Sequence, residues 1–184
     1  MKTSLKGFEV MLAKEQIIKL LGCLNVELNA LGLHGELLLT GGASMCLVHS
    51  ARDMTKDIDA LYEPKAVINQ LASKIAQEEN VPEGWLNDSV KGFVTGAAPR
   101  EGFRSLSNLK ITTVSTDYLL AMKLISARYG ETDYEDIKFL INKLEIRTEE
   151  ALDEVVMRYY PVEKILPKTG YLIEQLIAET SLQK

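Results

Sequence analysis

Two short stretches hold residue types whose spacing could do chemistry together. Leu38-Leu39-Thr40-Gly41-Gly42-Ala43-Ser44 is followed, thirteen residues after Ser44, by Asp57-Ile58-Asp59. A strand that ends in Gly-Gly and feeds a helix lets the backbone approach a ligand closely, and the helix N-terminus offers unpaired N–H groups and a positive dipole end to phosphate. The Ser44 hydroxyl can add to that set. On a strand, Asp57 and Asp59 point to one face and Ile58 to the other, with the two backbones about 6–7 Å apart. Two carboxylates sharing one patch repel unless a cation joins them. One or two Mg2+ ions suit the pair, because such ions also hold triphosphate oxygens and activate an attacking hydroxyl. Each half is weak alone, since Gly-Gly before a helix is most often only a tight turn and Asp-x-Asp is weaker still. The order strand, Gly-Gly-x-Ser, helix, strand with Asp-x-Asp is far more specific.

The elements that must position these residues are legible around them. Ile17, Ile18, Leu20, Leu21, Leu24, Leu28 and Leu31 recur at intervals of three and four, which predicts a helix over Lys14 to Leu33. Glu36 to Thr40 is an apolar run between glycines and predicts a buried strand. Ala43 to Arg52 reads as a short helix, Asp57 to Tyr62 as a strand stopped by Pro64, and Lys65 to Glu79 as a helix. Trp85 to Phe93 reads as a further short helix, the stretch from Gly96 to Arg104 as an irregular loop, and Leu109 to Val114 as a strand. From Thr116 the pattern is helical, with Asp133 and Thr148 placed as N-caps. This makes an α/β (α+β) protein with a small mixed sheet: an α/β core over residues 1–114 and a helical part over 115–184 packed on it, with the site in the cleft between.

The 184 residues suffice for one domain that buries about two-thirds of its unfolded surface. With 46% hydrophobic and 26% charged residues the composition is that of a globular chain. The net charge of −5 gives no general attraction for nucleic acid or an anionic membrane, so any nucleic-acid contact must be local. Cys23 and Cys46 lack metal-ligand spacing and suit a reduced cytoplasm. The start, MKTSLKGFEV, has no apolar core of a secretion signal, and no stretch approaches the run of about 18–20 apolar residues that a membrane span requires.

Gly41-Gly42-Ala43-Ser44 followed by Arg52-Asp53-Met54-Thr55-Lys56-Asp57-Ile58-Asp59 resembles the signature of the polymerase-beta-type nucleotidyltransferase superfamily. The Arg-x-Thr-x-Asp-Ile-Asp form is similar, more narrowly, to bacterial nucleotidyltransferase-like proteins related to AbiE-type abortive-infection toxins. In that group a later helix carries a Lys, then an Arg, then paired aspartates, and Lys123, Arg128, Asp133 and Asp136 match this order, so the likeness runs from about Leu37 to Leu140. The resemblance implies a nucleotidyltransferase fold and transfer of a nucleoside monophosphate from an NTP, with Mg2+ as cofactor. It implies that Gly41, Gly42 and Ser44 hold nucleotide phosphates, that Arg52 and Thr55 assist, that Asp57 and Asp59 bind metal, and that Lys123 contacts nucleotide or supports the acidic pair. The acceptor stays open between an RNA such as tRNA, a protein and a small molecule, and any antitoxin partner stays open with it.

The helix around Lys123 is apolar nearly all round, so a charge inside it must meet a carboxylate, a phosphate or water, unless its stem carries the ammonium out to solvent. Asp133 and Asp136 also fit a helix cap. His34 and His49 have no recognisable partner, and Trp85, Phe93 and Tyr118 read as core residues. Arg100 and Arg104 are candidates for an anionic acceptor, or plain solvated charge. Many superfamily members place a third carboxylate on a neighbouring strand as the base. Asn108 to Val114 holds no acid, which leaves Asp88, Asp117, Glu36 or the metal alone for that task. Two readings follow: a Mg-dependent nucleotidyltransferase, or a catalytically idle nucleotide-binding or interaction module of the same fold.

Overall fold

The computed structural model describes residues 10–96, 98–127 and 133–181; the start of the chain, read above for a secretion signal, and Arg128 lie outside them. The protein is α/β. In chain order it runs β1 (Leu12–Ala13), α1 (Lys14–Ala30), β2 (Gly35–Leu39), α2 (Gly41–Leu47), β3 (Met54–Thr55), β4 (Ile58–Glu63), α3 (Lys65–Glu79), β5 (Leu86–Asn87), β6 (Arg100–Ser105), β7 (Leu109–Val114), α4 (Thr116–Ser126), α5 (Asp133–Lys143), α6 (Glu149–Tyr159) and α7 (Pro167–Ser181). A five-stranded sheet has the order β5-β4-β2-β7-β6, and β1 pairs with β3 in a separate antiparallel ribbon. The chain divides into two compact units: the residues up to Asp88 with Arg104–Ile111, and Ser89–Phe103 with the residues from Thr112 onward. No helix of the described residues is long and apolar enough to cross a membrane.

In the first unit the apolar stripes anticipated from spacing become the core. Helix α1 buries Ile17, Leu20, Leu21, Leu24 and Leu28, and packs against α3, which buries Ile68, Leu71, Ala72, Ile75 and Ala76. Strand β2 lies inside the sheet and buries Leu37, Leu38 and Leu39 in succession, as a strand covered on both faces does. Its neighbour β4 alternates: Ile58, Ala60 and Tyr62 are buried, while Asp59 and Leu61 between them are half-buried. The two pair antiparallel, Leu39 opposite Ala60 and Glu36 opposite Glu63, whereas β4 and β5 run parallel, Asp59 opposite Asn87. The sheet is therefore mixed.

Several elements differ from the sequence expectation: β1 and β3 had no signal, α1 ends at Ala30 instead of Leu33, and three others change more. Helix α2 stops at Leu47 instead of reaching Arg52, because Ser50 takes a left-handed backbone (φ 50°) that a helix cannot continue. Arg52 therefore stands in a loop. The helix expected over Trp85 to Phe93 is instead the short strand β5 and a single 3-10 turn at Ser89–Gly92, since the Trp85 carbonyl accepts the Ile58 N–H at 2.7 Å and continues the sheet. The loop expected to carry Arg100 and Arg104 is strand β6, at the outer end of the sheet, where an interior Gly is tolerated.

The second unit is built around α4. Tyr118, Leu119, Leu120, Ala121, Met122, Lys123 and Leu124 are all buried because α5, α6 and α7 each pack on it. These bring Ile137, Leu140 and Ile141, then Leu152, Val155 and Val156, then Leu172, Ile173 and Leu176. The Thr148 hydroxyl caps α6 by accepting the Ala151 N–H, as anticipated. Tyr118 sits edge-on to Tyr159 at 4.9 Å between ring centres, and Tyr160 donates to the Phe93 carbonyl. Trp85 and Tyr118 are core residues, each in its own unit, but Phe93 is 41% exposed.

Candidate functional site

The Gly41-Gly42 turn ends β2 and opens α2. Gly41 has a φ of 52°, a left-handed conformation that costs a residue with a Cβ about 1–2 kcal/mol. A Cβ at Gly41 would also stand 3.0 Å from Asp59 Oδ2. The turn is fastened to β4 by its neighbour: the Thr40 N–H and hydroxyl both donate to the Asp59 carbonyl, at 3.0 and 3.1 Å. β4 thus carries the carboxylate, and the turn that follows β2 carries the glycine it rests on.

β4 starts at Ile58, one residue later than the strand expected from Asp57, so Asp57 stands just before it, and Asn87 links Asp57 to Asp59. Asn87 is paired with Asp59 in the parallel register, so its side chain stands on the Asp59 face, and its amide Nδ2 donates to Asp57 Oδ2 at 3.0 Å. Ile58, between them, is wholly buried on the other face. Both aspartates are half-buried, neither walled off nor bare. Asn87 had no sequence signal, because a two-residue strand has no periodicity to read; its role comes from pairing across thirty positions of chain.

The Gly42 position is equally crowded. A Cβ there would fall far inside 3.0 Å of both Arg52 Nη2 and Thr55 Oγ1, so these two side chains fill the space over the glycine. Thr55 is buried in β3, paired opposite Leu12. Ser44 has no exposed surface and lies within α2, its N–H on the Thr40 carbonyl. Gly41, Gly42, Arg52, Thr55 and Asp59 are thereby gathered at one turn, with Asp57 beside them.

Lys123, Asp133 and Asp136 belong to the second unit. The ammonium is only 3% exposed and lies 2.7 Å from Asp133 Oδ1 and 2.8 Å from Asp136 Oδ2. It does not run out to solvent. Asp136 is buried, and Asp133, the first described residue of α5, takes the ammonium of a neighbouring helix.

The residues left for a base are each engaged elsewhere. Glu36 sits at the far end of β2 from the glycine turn, about 10 Å along the strand, and faces Lys110. Asp88 pairs with Lys65. Asp117, in the second unit, accepts from the Ser115 hydroxyl, the Tyr118 N–H, the Tyr159 hydroxyl and Arg158. Burial pulls its pKa up, but the bonds from Ser115, Tyr159 and Tyr118 and the Arg158 charge outweigh that and hold it below the usual carboxylate range. Among the described residues no group of three or more His, Cys, Asp or Glu side chains is placed to hold a metal ion.

Compared with family models, with curated proteins and with solved structures, the chain matches none of them. What can be said of its chemistry therefore rests on its own residues.

Proposed function

We propose that the protein is a Mg2+-dependent nucleotidyltransferase that moves a nucleoside monophosphate from an NTP to an acceptor hydroxyl. The observation that supports this reading is the Asn87 amide, which bonds Asp57 from a position opposite Asp59, so that one residue neighbours both half-buried carboxylates, with Asp59 against Gly41. The donor set fits the ion. Mg2+ binds through one or two carboxylates and completes its shell with substrate phosphates and water, so it needs no third protein acid. When bound it neutralises phosphate charge and favours ionisation of an attacking hydroxyl.

The chain's own residues do the rest. Asp57 and Asp59 hold the ion, Asn87 fixes the orientation of Asp57, and Thr40 fixes β4 against the turn. Gly41 admits Asp59, while Arg52 offers positive charge to phosphate. The acceptor, whether an RNA end, a protein or a small molecule, and any antitoxin partner belong to this proposal and not to the fold. A second reading, a nucleotide-binding module without turnover, is favoured by one observation: Glu36, Asp88 and Asp117 are all held by other partners.

Labelled NTPs with Mg2+ separate the two. Wild type binds NTP at least tenfold more tightly with Mg2+ than without, and Asp57→Asn or Asp59→Asn removes that gain. Pyrophosphate release or self-labelling that Asp59→Asn abolishes selects the enzyme, and binding without turnover selects the module. Equal affinity with and without metal overturns both.

A further inference from the structure

Strand β6 ends the five-stranded sheet on one side. Among the described residues only β7 lies beside it, so its outer edge offers alternate backbone N–H and C=O groups to a further strand. The opposite end of the sheet is blunted, because β5 has two residues and Asp88 after it is tied to Lys65. β6 has six residues, and all but the half-buried Phe103 are exposed. Alternation puts Arg100, Gly102 and Arg104 on one face, with the two arginine backbones about 13 Å apart. Neither arginine makes an ion pair or a side-chain hydrogen bond with a described residue. Nothing stands within 4 Å of where a Cβ at Gly102 would be, so the face between them is bare. A glycine inside a strand weakens it and often marks the close approach of another backbone. The edge is also held still. The Leu106 N–H donates to the Leu109 carbonyl, and Asn108 in that turn donates from its N–H to Asn25 Oδ1 at 2.8 Å and from Nδ2 to the Leu33 carbonyl at 2.9 Å.

From this we infer that β6 is a docking edge for an extended acidic segment of a partner protein, which adds one strand to the sheet and sets carboxylates four residues apart against Arg100 and Arg104. The inference is independent of the nucleotidyltransferase reading. Main-chain pairing supplies attraction, and two arginine forks that match carboxylates select the sequence. A fixed edge loses little entropy when the segment arrives. A second copy of the chain fits poorly. Paired antiparallel about Gly102 it sets Arg100 opposite Arg104 twice, and paired about Phe103 it brings the two Arg104 side chains diagonally together, so like charges meet in both registers. Nucleic acid fits poorly as well, since a phosphate backbone only accepts hydrogen bonds and would leave the outward carbonyls of β6 unpaired.

The probe is the labelled peptide Thr-Glu-Val-Thr-Val-Glu-Thr, followed by fluorescence anisotropy on the full chain, beside the same peptide with Lys for Glu. Wild type binds the Glu peptide about tenfold more tightly than the Lys peptide. Binding weakens as salt rises, and hydrogen exchange slows over residues 100–105. Arg100→Glu with Arg104→Glu reverses the preference at an unchanged melting temperature, which a folding defect cannot do. The Glu peptide with every peptide nitrogen methylated keeps its charges and loses binding.

If the two peptides bind equally, or neither binds, the docking edge is refuted and the aspartate site is untouched. If the methylated peptide binds as well as its parent, ion pairing alone is at work and strand addition falls. If oligouridylate binds, the peptide does not compete with it and the double reversal abolishes it, the arginines serve phosphate and the proposal is overturned. A chain that sediments as a dimer, with residues 100–105 protected before any peptide is added, gives the edge to a second copy and overturns it too.

Discussion

At the residue scale, the side chains most closely held are the ones the sequence put nearest to one another. Gly41, Gly42, Arg52, Thr55, Asp57 and Asp59 lie within nineteen positions; strand alternation and a glycine turn grouped the glycines with the aspartates, and only the family resemblance added Arg52 and Thr55. Asn87 was not legible, because only the register of β4 with β5 brings it to Asp57. Asp117 shows how a candidate base is taken out of use. Ser115 and the Tyr118 N–H occupy Oδ1, and Tyr159 and Arg158 occupy Oδ2, so each carboxylate oxygen already accepts two bonds. An amide cannot accept at both ends, and Asp117→Asn should lower stability at pH 7 by about 1.5–3 kcal/mol, the scale of hydrogen bonds to a charged group. The folded-state pKa lies below the unfolded value, so this stabilisation is present above about pH 4 and is lost as pH falls through the folded value. Urea unfolding of both proteins from pH 7 to pH 2 should show the curves converging in acid. A difference that stays constant with pH would show that the carboxylate charge is not what Asn removes.

At the element scale, helices with long apolar stripes were readable and short pairing segments were not. The bounds of α3 agree residue for residue with expectation, because Pro64 starts it and the apolar spacing runs unbroken for four turns. β5 and β6 were read as helix and loop because Trp85 and the Gly-Pro stretch offer only local signals, and sheet pairing overrides these. α4 presented the opposite case, a helix whose apolar surround was plain while the fate of its one ammonium was open. Packing by three helices removes the route to solvent, and α5 supplies both carboxylates. A buried pair broken on one side leaves an uncompensated charge, so Asp136→Asn should cost about 3 kcal/mol by chemical denaturation, whereas Asp133→Asn, at a partly exposed position, should cost about 1 kcal/mol or less. Lys123→Met should be as harmful as Asp136→Asn alone, and Lys123→Met with Asp136→Leu should recover most of the loss. Equal costs at Asp133 and Asp136 would mean that burial does not set the strength of this pairing.

At the scale of the whole molecule, the α/β class followed from the order of elements, and the division into two units did not, because Ser89–Phe103 belongs with the helices although it precedes β7. That interruption has no compositional mark. The first unit carries the glycine turn and the aspartates, and it also carries the chain's single tryptophan. Trp85 is fully buried, donates through Nε1 to the Ala72 carbonyl on α3 at 3.0 Å, and accepts from Ile58 at the start of the aspartate strand. Its fluorescence therefore reports unfolding of the unit in which ligand would bind. A ligand that binds only the folded state at one hundred times its dissociation constant adds about 2.7 kcal/mol, and for a chain of 184 residues each kilocalorie raises the midpoint by about 2–4 °C. Saturating Mg2+ with NTP should then shift the Trp85 transition upward by about 5–10 °C. Mg2+ alone should shift it little, since two carboxylates without phosphate oxygens make an incomplete shell. Asp57→Asn should abolish most of the nucleotide-dependent shift while leaving the ligand-free midpoint near that of wild type, because it relieves repulsion as it removes a ligand. A Trp85 midpoint unmoved by Mg2+ and any of the four NTPs would place nucleotide elsewhere or nowhere on this unit.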